Sequence, residues 1–536
     1  MNKRRLLTAA LALALSASQT MAADIVPVIL DDPGSATTVA EGYYDPTPAT
    51  PVGGNPGTSI GEQRRIVAQF AADLWGGVLK SDVPVFVGAQ FNPLAPNVLG
   101  SAGATYVFRD FPNAPVANTW YSSALADAIA GQDLVDDIDI FSQFSSTFTF
   151  YYGLDGQTPT GQINFLDVVM HEFGHGLGFQ NFENEAAGTF YLGVQDIYST
   201  FTYDNTTSKR WTQMTIAERQ ASALNYGKVI FDGASATAGA ALVLGPRTGF
   251  RVTAPAGIAG DYAYGTASFG APATPANFAG SVVLGLDAVI PVTSATATDG
   301  CSPFNNAAAI AGNIALVDRG SCGFALKAKN AQNAGASGII VANNTAANPP
   351  PGMGGADPTV VIPAIMVTQA SGVTFKANLP GVQVAFVVDP NKLQGADDLG
   401  RPRLFMPSPV QGGSSGSHYD NNMLPNALME PAINSTLLST LNIDITPNLL
   451  KDTGWTLNPG NAKINGCDTT IDAVNDAGII IGANVQATSN LCLYSAVDKG
   501  AYQGCMDAYK ERMVASGLIT GRQGGKMMAC AAKVVK

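Results

Sequence analysis

Two of the three histidines in this 536-residue chain lie in one segment, His171-Glu172-Phe173-Gly174-His175-Gly176-Leu177-Gly178-Phe179, and the third is His418. On a helix, residues four apart share a face with their Cβ atoms roughly 5–6 Å apart, so His171 and His175 can hold one ion together. Glu172 sits one position round, in reach of a water on that ion rather than of the ion. A catalytic zinc takes three protein ligands and keeps a position open for water. Only His418 is left to complete the set, so a separation of 243 residues has to close on itself.

The flanks of the motif support a buried helix over about 164–177. Phe165, Leu166, Val168, Val169 and Met170 precede it, and incidental polar histidines are costly on so apolar an element. Gly176 and Gly178 follow at once and free the backbone to end the helix. The bare spacing also recurs in unrelated helices, as two solvated or core histidines.

The rest of the chain divides by composition. Lys3, Arg4 and Arg5, an apolar run from Leu6 to Ala17 and small residues at Ala22 and Ala23 predict a signal peptide over 1–23. The run is too short to span a bilayer as an anchor, and the mature chain is expected to be secreted, either extracellular or periplasmic. A flexible leader or short prosegment is expected over 24–57, rich in Pro, Gly, Thr and Ala. Ser59 to Glu62 form a capping-box pattern, followed by Ile66, Phe70 and Leu74 on one helical face, with Gly76-Gly77 as the stop. Strands are expected at Val83–Val87, Thr105–Phe108, Ile138–Phe144 and Thr147–Tyr152. The fold class read from this order is α+β, with the site helix packed under a sheet.

Residues 233–400 form a charge-poor insert with its own rhythm, a strand at Ile314–Val317, a helix at Phe324–Ala334 and a strand at Gly338–Ala342, which is a βαβ unit. The first part of the catalytic domain is then 58–232 and the second 401–458. A small helical C-terminal module follows over 459–536, with an amphipathic helix at Lys499–Ala515. All six cysteines, Cys301, Cys322, Cys467, Cys492, Cys505 and Cys530, lie in the C-terminal half. Proximity pairs Cys301 with Cys322 and leaves the other four to pair among themselves, in an oxidising compartment. The formal net charge of −12 argues against nucleic acid or an anionic membrane as partner. The expected partners are protein or peptide substrates, and the chain is expected to be a monomer.

The insert resembles the protease-associated (PA) domain through Gly312-Asn313-Ile314-Ala315-Leu316-Val317-Asp318-Arg319-Gly320, Cys322-Gly323-Phe324, Lys327 to Gln332, Gly335-Ala336 and Ile362-Pro363-Ala364. That likeness implies a non-catalytic module. Because inserts have neighbouring termini, it also lets the two halves of the site meet across it.

Residues of about 60–230 and 400–456 resemble the metzincin peptidases in their leishmanolysin-like arrangement. The residues that carry the likeness are His171, Glu172, His175, Gly178 and Phe179, then Ser417-His418 after the insert, then Leu428-Met429-Glu430-Pro431. It implies zinc held by His171, His175 and His418, Glu172 as general base, Met429 as a turn supporting the site, and a closing helix at Leu449–Trp455. Asn181, at the position of the third ligand in contiguous motifs, is a poor zinc ligand and directs the role to His418. Pro431 stands where some relatives carry a tyrosine, which leaves Tyr419 as a candidate substrate contact.

The function implied is a secreted zinc endopeptidase, with Ile138–Phe144 as the sheet edge that takes up an extended peptide. An alternative is an idle binding or adhesive protein that acts through the insert and tail. Another is a zinc site completed by Glu183, Glu185 or Asp196, which leaves His418 without a role. Asp133, Asp136, Asp137 and Asp139 could hold Ca2+ or form a solvated turn; no helix-loop-helix calcium pattern surrounds them.

Overall fold

A computed structural model of the chain describes residues 22–35, 40–290, 293–433 and 436–536. The expected signal peptide lies outside them except for Ala22 and Ala23. The body that carries the motif is built on a four-stranded sheet. Its strands in spatial order are β1 (Ile25–Ile29), β2 (Val85–Asn92), β4 (Ile140–Ser145) and β3 (Gly100–Ala104). The first three run parallel and β3 is antiparallel to β4. Helix α1 (Ile60–Val78) and the motif helix α2 (Phe165–Gly176) share one core with this sheet, and the Trp75 indole of α1 donates to the carbonyl of Met170 in α2 at 3.1 Å. Ser59 caps α1 by accepting from Glu62 N, as its pattern predicts.

Three expectations change here. The segment read as a mobile leader is part of the body, because Ile25–Ile29 is a sheet strand and Tyr43 is fully buried. Composition alone pointed to mobility, but Pro27 is compatible with a strand here because proline is tolerated on an edge strand, which β1 is. Ile138–Phe144 does not form a free sheet edge, since β4 is paired on both sides; the edges of this sheet are β1 and β3. Gly76 and Gly77 do not stop α1, which runs to Val78. A Cβ on Gly77 would meet Ala483 Cβ at 2.7 Å, so this glycine serves a close helix crossing.

After α2 the chain forms β5 (Val229–Phe231) and α3 (Ala234–Val243) before entering the insert. Helix α3 packs in the main core against α5 (Thr446–Thr453), so the junction falls near 245 rather than at 233. The insert opens with β6 (Pro246–Ala254), carries the predicted unit as β7 (Ile314–Asp318), α4 (Phe324–Asn333) and β8 (Gly338–Ala342), and closes with β9 (Gln383–Leu393). β7 and β8 are parallel neighbours in an eight-stranded sheet that has a separate core on each side. Pro246 pairs with Leu393, and Gln394 N donates to Gly245 O at 2.9 Å, so the insert leaves and returns at one point.

The returning chain is fastened beside the outgoing one. Leu404 N donates to Val229 O at 3.0 Å and the Arg401 guanidinium joins Asp232 at 3.1 Å, while within the returning segment Phe405 N donates to His418 O at 2.9 Å and Arg401 joins Asp397 at 2.7 Å. The tail holds α6 (Ile481–Ser495), α7 (Lys499–Ala515) and α8 (Gly521–Ala531) around a small core of its own. Its Cys467–Cys530 and Cys492–Cys505 bridges join the Cys301–Cys322 bridge of the insert. Ala483 and Ala487 of α6 also belong to the main core, so the tail is anchored on α1.

Candidate metal centre

Helix α2 is capped by Asn164, whose side chain accepts from Leu166 N at 2.9 Å, and every residue of α2 is buried. This fixes His171 and His175 on one face. The fastened return of the chain brings in His418, whose Nε2 lies 3.2 Å from those of both His171 and His175; the latter two are 3.0 Å apart. Among the described residues these three form the one group of three or more His, Cys, Asp or Glu side chains whose ligand atoms lie within 4.8 Å of one another.

The outer nitrogens settle which tautomer is present. His171 Nδ1 faces Leu428 O at 2.7 Å, His175 Nδ1 faces Phe179 O at 2.8 Å, and His418 Nδ1 faces Ser414 O at 3.0 Å. A carbonyl only accepts, so each Nδ1 carries the proton and each Nε2 presents a lone pair inward. The three Nε2 contacts are thus acceptor against acceptor, an arrangement that a cation between them would satisfy. Burial favours the neutral rings: it lowers His171 to about 4 and, helped by neighbouring His171, His418 to about 3. His175 is pushed well below its ordinary value by burial first, then by His418 and His171. Neutral imidazoles spaced this way suit an ion bound at about 2.0–2.1 Å from each nitrogen, so the donor set fits zinc.

Glu172 is buried beside the group. Burial raises its carboxyl to about 8, and a hydrogen bond from the backbone of Ala102 in β3 acts in the opposite direction. Strand β3 lies directly against it, for a Cβ on Gly100 would stand 2.6 Å from Glu172 Oε1. Met429 is fully buried under α2, and a Cβ on Gly174 would meet its Sδ at 2.8 Å. Gly176 fits against Ile140, and Gly178 turns the chain out of the helix with φ +117°. Gly100 and Gly174 escaped sequence reasoning, although a glycine between the two motif histidines was a visible signal of close approach.

Other candidates stand apart from the group. Tyr419 is fully buried with its ring 4.8 Å from that of Phe179, so it is a core residue and does not face substrate. Asp196 accepts from Phe182 N at 2.9 Å and Ser199 N at 2.7 Å, and with Glu183 and Glu185 it lies outside the histidine group. In the acidic run, Asp133 accepts from Val135 N, Asp137 from Tyr106 Oη and Ile138 N, and Asp139 from Phe86 N. Asp133 serves a local turn, Asp137 and Asp139 also reach distant segments, and with Asp136 they form no convergent ligand group among the described residues.

Residues 264–375 match the family model of the PA domain. This stretch is a PA domain. It lies wholly within the insert and agrees with the motifs read there. An aminopeptidase of Pseudomonas aeruginosa is 38% identical over 98 residues, 18% of this chain and 18% of that protein. Vacuolar-sorting receptor 1 of Pisum sativum is 40% identical over 93 residues, 17% of this chain and 14% of that one. The chain therefore spans less than a fifth of the length of these relatives. Among solved structures, BSAP, a zinc aminopeptidase from Bacillus subtilis, is 22% identical with a TM-score of 0.19, covering 29% of this chain and 37% of that one. No helix among the described residues is long and apolar enough to cross a membrane.

Proposed function

We propose that this chain is an exported zinc endopeptidase of the metzincin type, in the leishmanolysin-like arrangement, with a PA domain inserted between the halves of its site. The observation that carries the reading is the convergence of three inward lone pairs, from His171, His175 and His418, beside a buried glutamate. A zinc ion held by His171, His175 and His418 would supply Lewis acidity toward a peptide carbonyl and toward water.

The protein supplies the remaining steps. A neighbouring cation favours the ionised form of Glu172, which accepts the proton of the attacking water and passes it to the leaving amine nitrogen. The outer edge of β3, next to Glu172, is where an extended peptide adds a strand and sets its carbonyl over the site. Met429 and the carbonyls facing each Nδ1 keep the imidazoles in place. Three disulfides suit an oxidising compartment.

The test is digestion of an unfolded protein substrate by the zinc-loaded chain, with products mapped by mass spectrometry. Internal fragments that vanish in Glu172→Gln are expected. Stepwise loss of amino-terminal residues would make the enzyme an aminopeptidase instead, and no hydrolysis with bound zinc would favour the binding-protein alternative.

A further inference from the structure

The loop that carries Met429 touches the site at three places. Leu428 O accepts from His171 Nδ1 at 2.7 Å, Met429 O accepts from Tyr419 N, next to His418, at 2.9 Å, and the Met429 sulfur lies against Gly174. Two buried carboxylates brace this loop: Glu430, within it, accepts from Ala427 N at 3.0 Å, and Asp444 reaches it from outside. Asp444 Oδ2 accepts from Leu428 N, while its Oδ1 accepts from Thr446 N at 3.1 Å and Thr446 Oγ1 at 3.0 Å. The two ends of the Leu428 residue thus face Asp444 on one side and His171 on the other. Asp444 also has φ +51°, a left-handed backbone that non-glycine residues rarely adopt except Asn and Asp. Its main-chain N–H is satisfied by Asn442 Oδ1 at 2.7 Å. The side chain is 5% exposed, so these bonds form out of water, where an orphaned donor is costly.

We infer that Asp444 is a positioning residue for the metal site, orienting His171 through Leu428. The carboxylate fixes where the Leu428 carbonyl lies, that carbonyl fixes the tautomer and rotation of the His171 ring, and the ring's Nε2 is thereby aimed at the ion. Outer partners of this kind govern metal affinity about 10–100-fold. The role in metal binding rests on the three-histidine reading above; the orientation of the His171 ring does not.

The experiment compares wild type, Asp444→Ala and Thr446→Val. The valine variant loses a hydroxyl bond to the same carboxylate and leaves Leu428 N in place. Zinc affinity is measured on the metal-free chains against a competing chelator, and the His171 Nδ1–H resonance is followed by NMR without metal. Asp444→Ala is expected to lose the slowly exchanging Nδ1–H signal and about 10–100-fold in zinc affinity, while Thr446→Val keeps both. Retention of signal and affinity in Asp444→Ala overturns the inference, as does an equal loss in Thr446→Val. If the wild type binds no zinc, the metal reading fails while the NMR comparison still decides the positioning role. Asp444→Asn, of the same size, serves if the alanine variant does not fold.

Discussion

At the scale of single residues, the site is a balance of burial against charge, and its pH behaviour follows from that. In the metal-free protein His171 and His418 protonate near 4 and 3, and His175 well below its ordinary value. Between those values and about 6.5 the unfolded chain binds protons that the folded chain does not. The contribution of these three rings to stability is therefore lost as pH falls through this window. Buried carboxyls act in the opposite sense, Glu172 and Glu430 raised to about 8 and Asp73 and Asp444 to about 7, because the folded chain takes up protons there that the unfolded chain does not, so the histidines alone do not set the net pH dependence of stability. Zinc affinity of the folded chain, read by chelator competition, should hold to about pH 5 and fall as pH drops through about 4, where protons begin to compete for the same nitrogens. For Glu172→Gln the expectation is unchanged zinc content with hydrolysis reduced about 10²–10⁴-fold, measured as initial rate per bound zinc.

Among elements, the decisive features are close approaches. A Cβ on Gly176 would stand 2.2 Å from Ile140 Cγ2, which β4 holds in place, so Gly176→Ala should destabilise by about 1–3 kcal/mol in denaturant unfolding. Gly77→Ala is sharper in sign. Helix propensity alone predicts a gain of roughly 1 kcal/mol, yet the new methyl meets Ala483 Cβ at 2.7 Å and its Cα at 2.9 Å. A net loss of stability is expected, and a gain would mean that α1 and α6 are not packed this tightly. Elements with a strong local period were legible in the sequence, namely α1, α2, the βαβ unit of the insert, and α7 with the predicted bounds. Strand β3 was not, because Gly100-Ser101-Ala102-Gly103-Ala104 has no alternating apolar signal and owes its strand form to pairing with β4.

For the whole molecule, the fold turns a chain separation of 243 residues into a contact of 3.2 Å. It does so because the PA insert starts and ends at one point while β5 and the segment from Pro402 to Phe405 hold its two flanks together. Replacing residues 246–393 with a short flexible linker should leave zinc binding within about tenfold of wild type, read by chelator competition, since the insert's two cores are separate from that of the body. The histidine count made His418 legible as a partner. Asp444 was hidden because its role lies in the path from one backbone N–H to a distant imidazole, which no local pattern in the sequence encodes.

The central claim is that His171, His175 and His418 form one zinc site. Its most direct test is the zinc bound per chain after dialysis at neutral pH, measured for wild type and His418→Ala at matched folded fraction. One tightly bound zinc in wild type and a large loss of affinity in the variant are expected. Equal zinc content and affinity in the two proteins would contradict it.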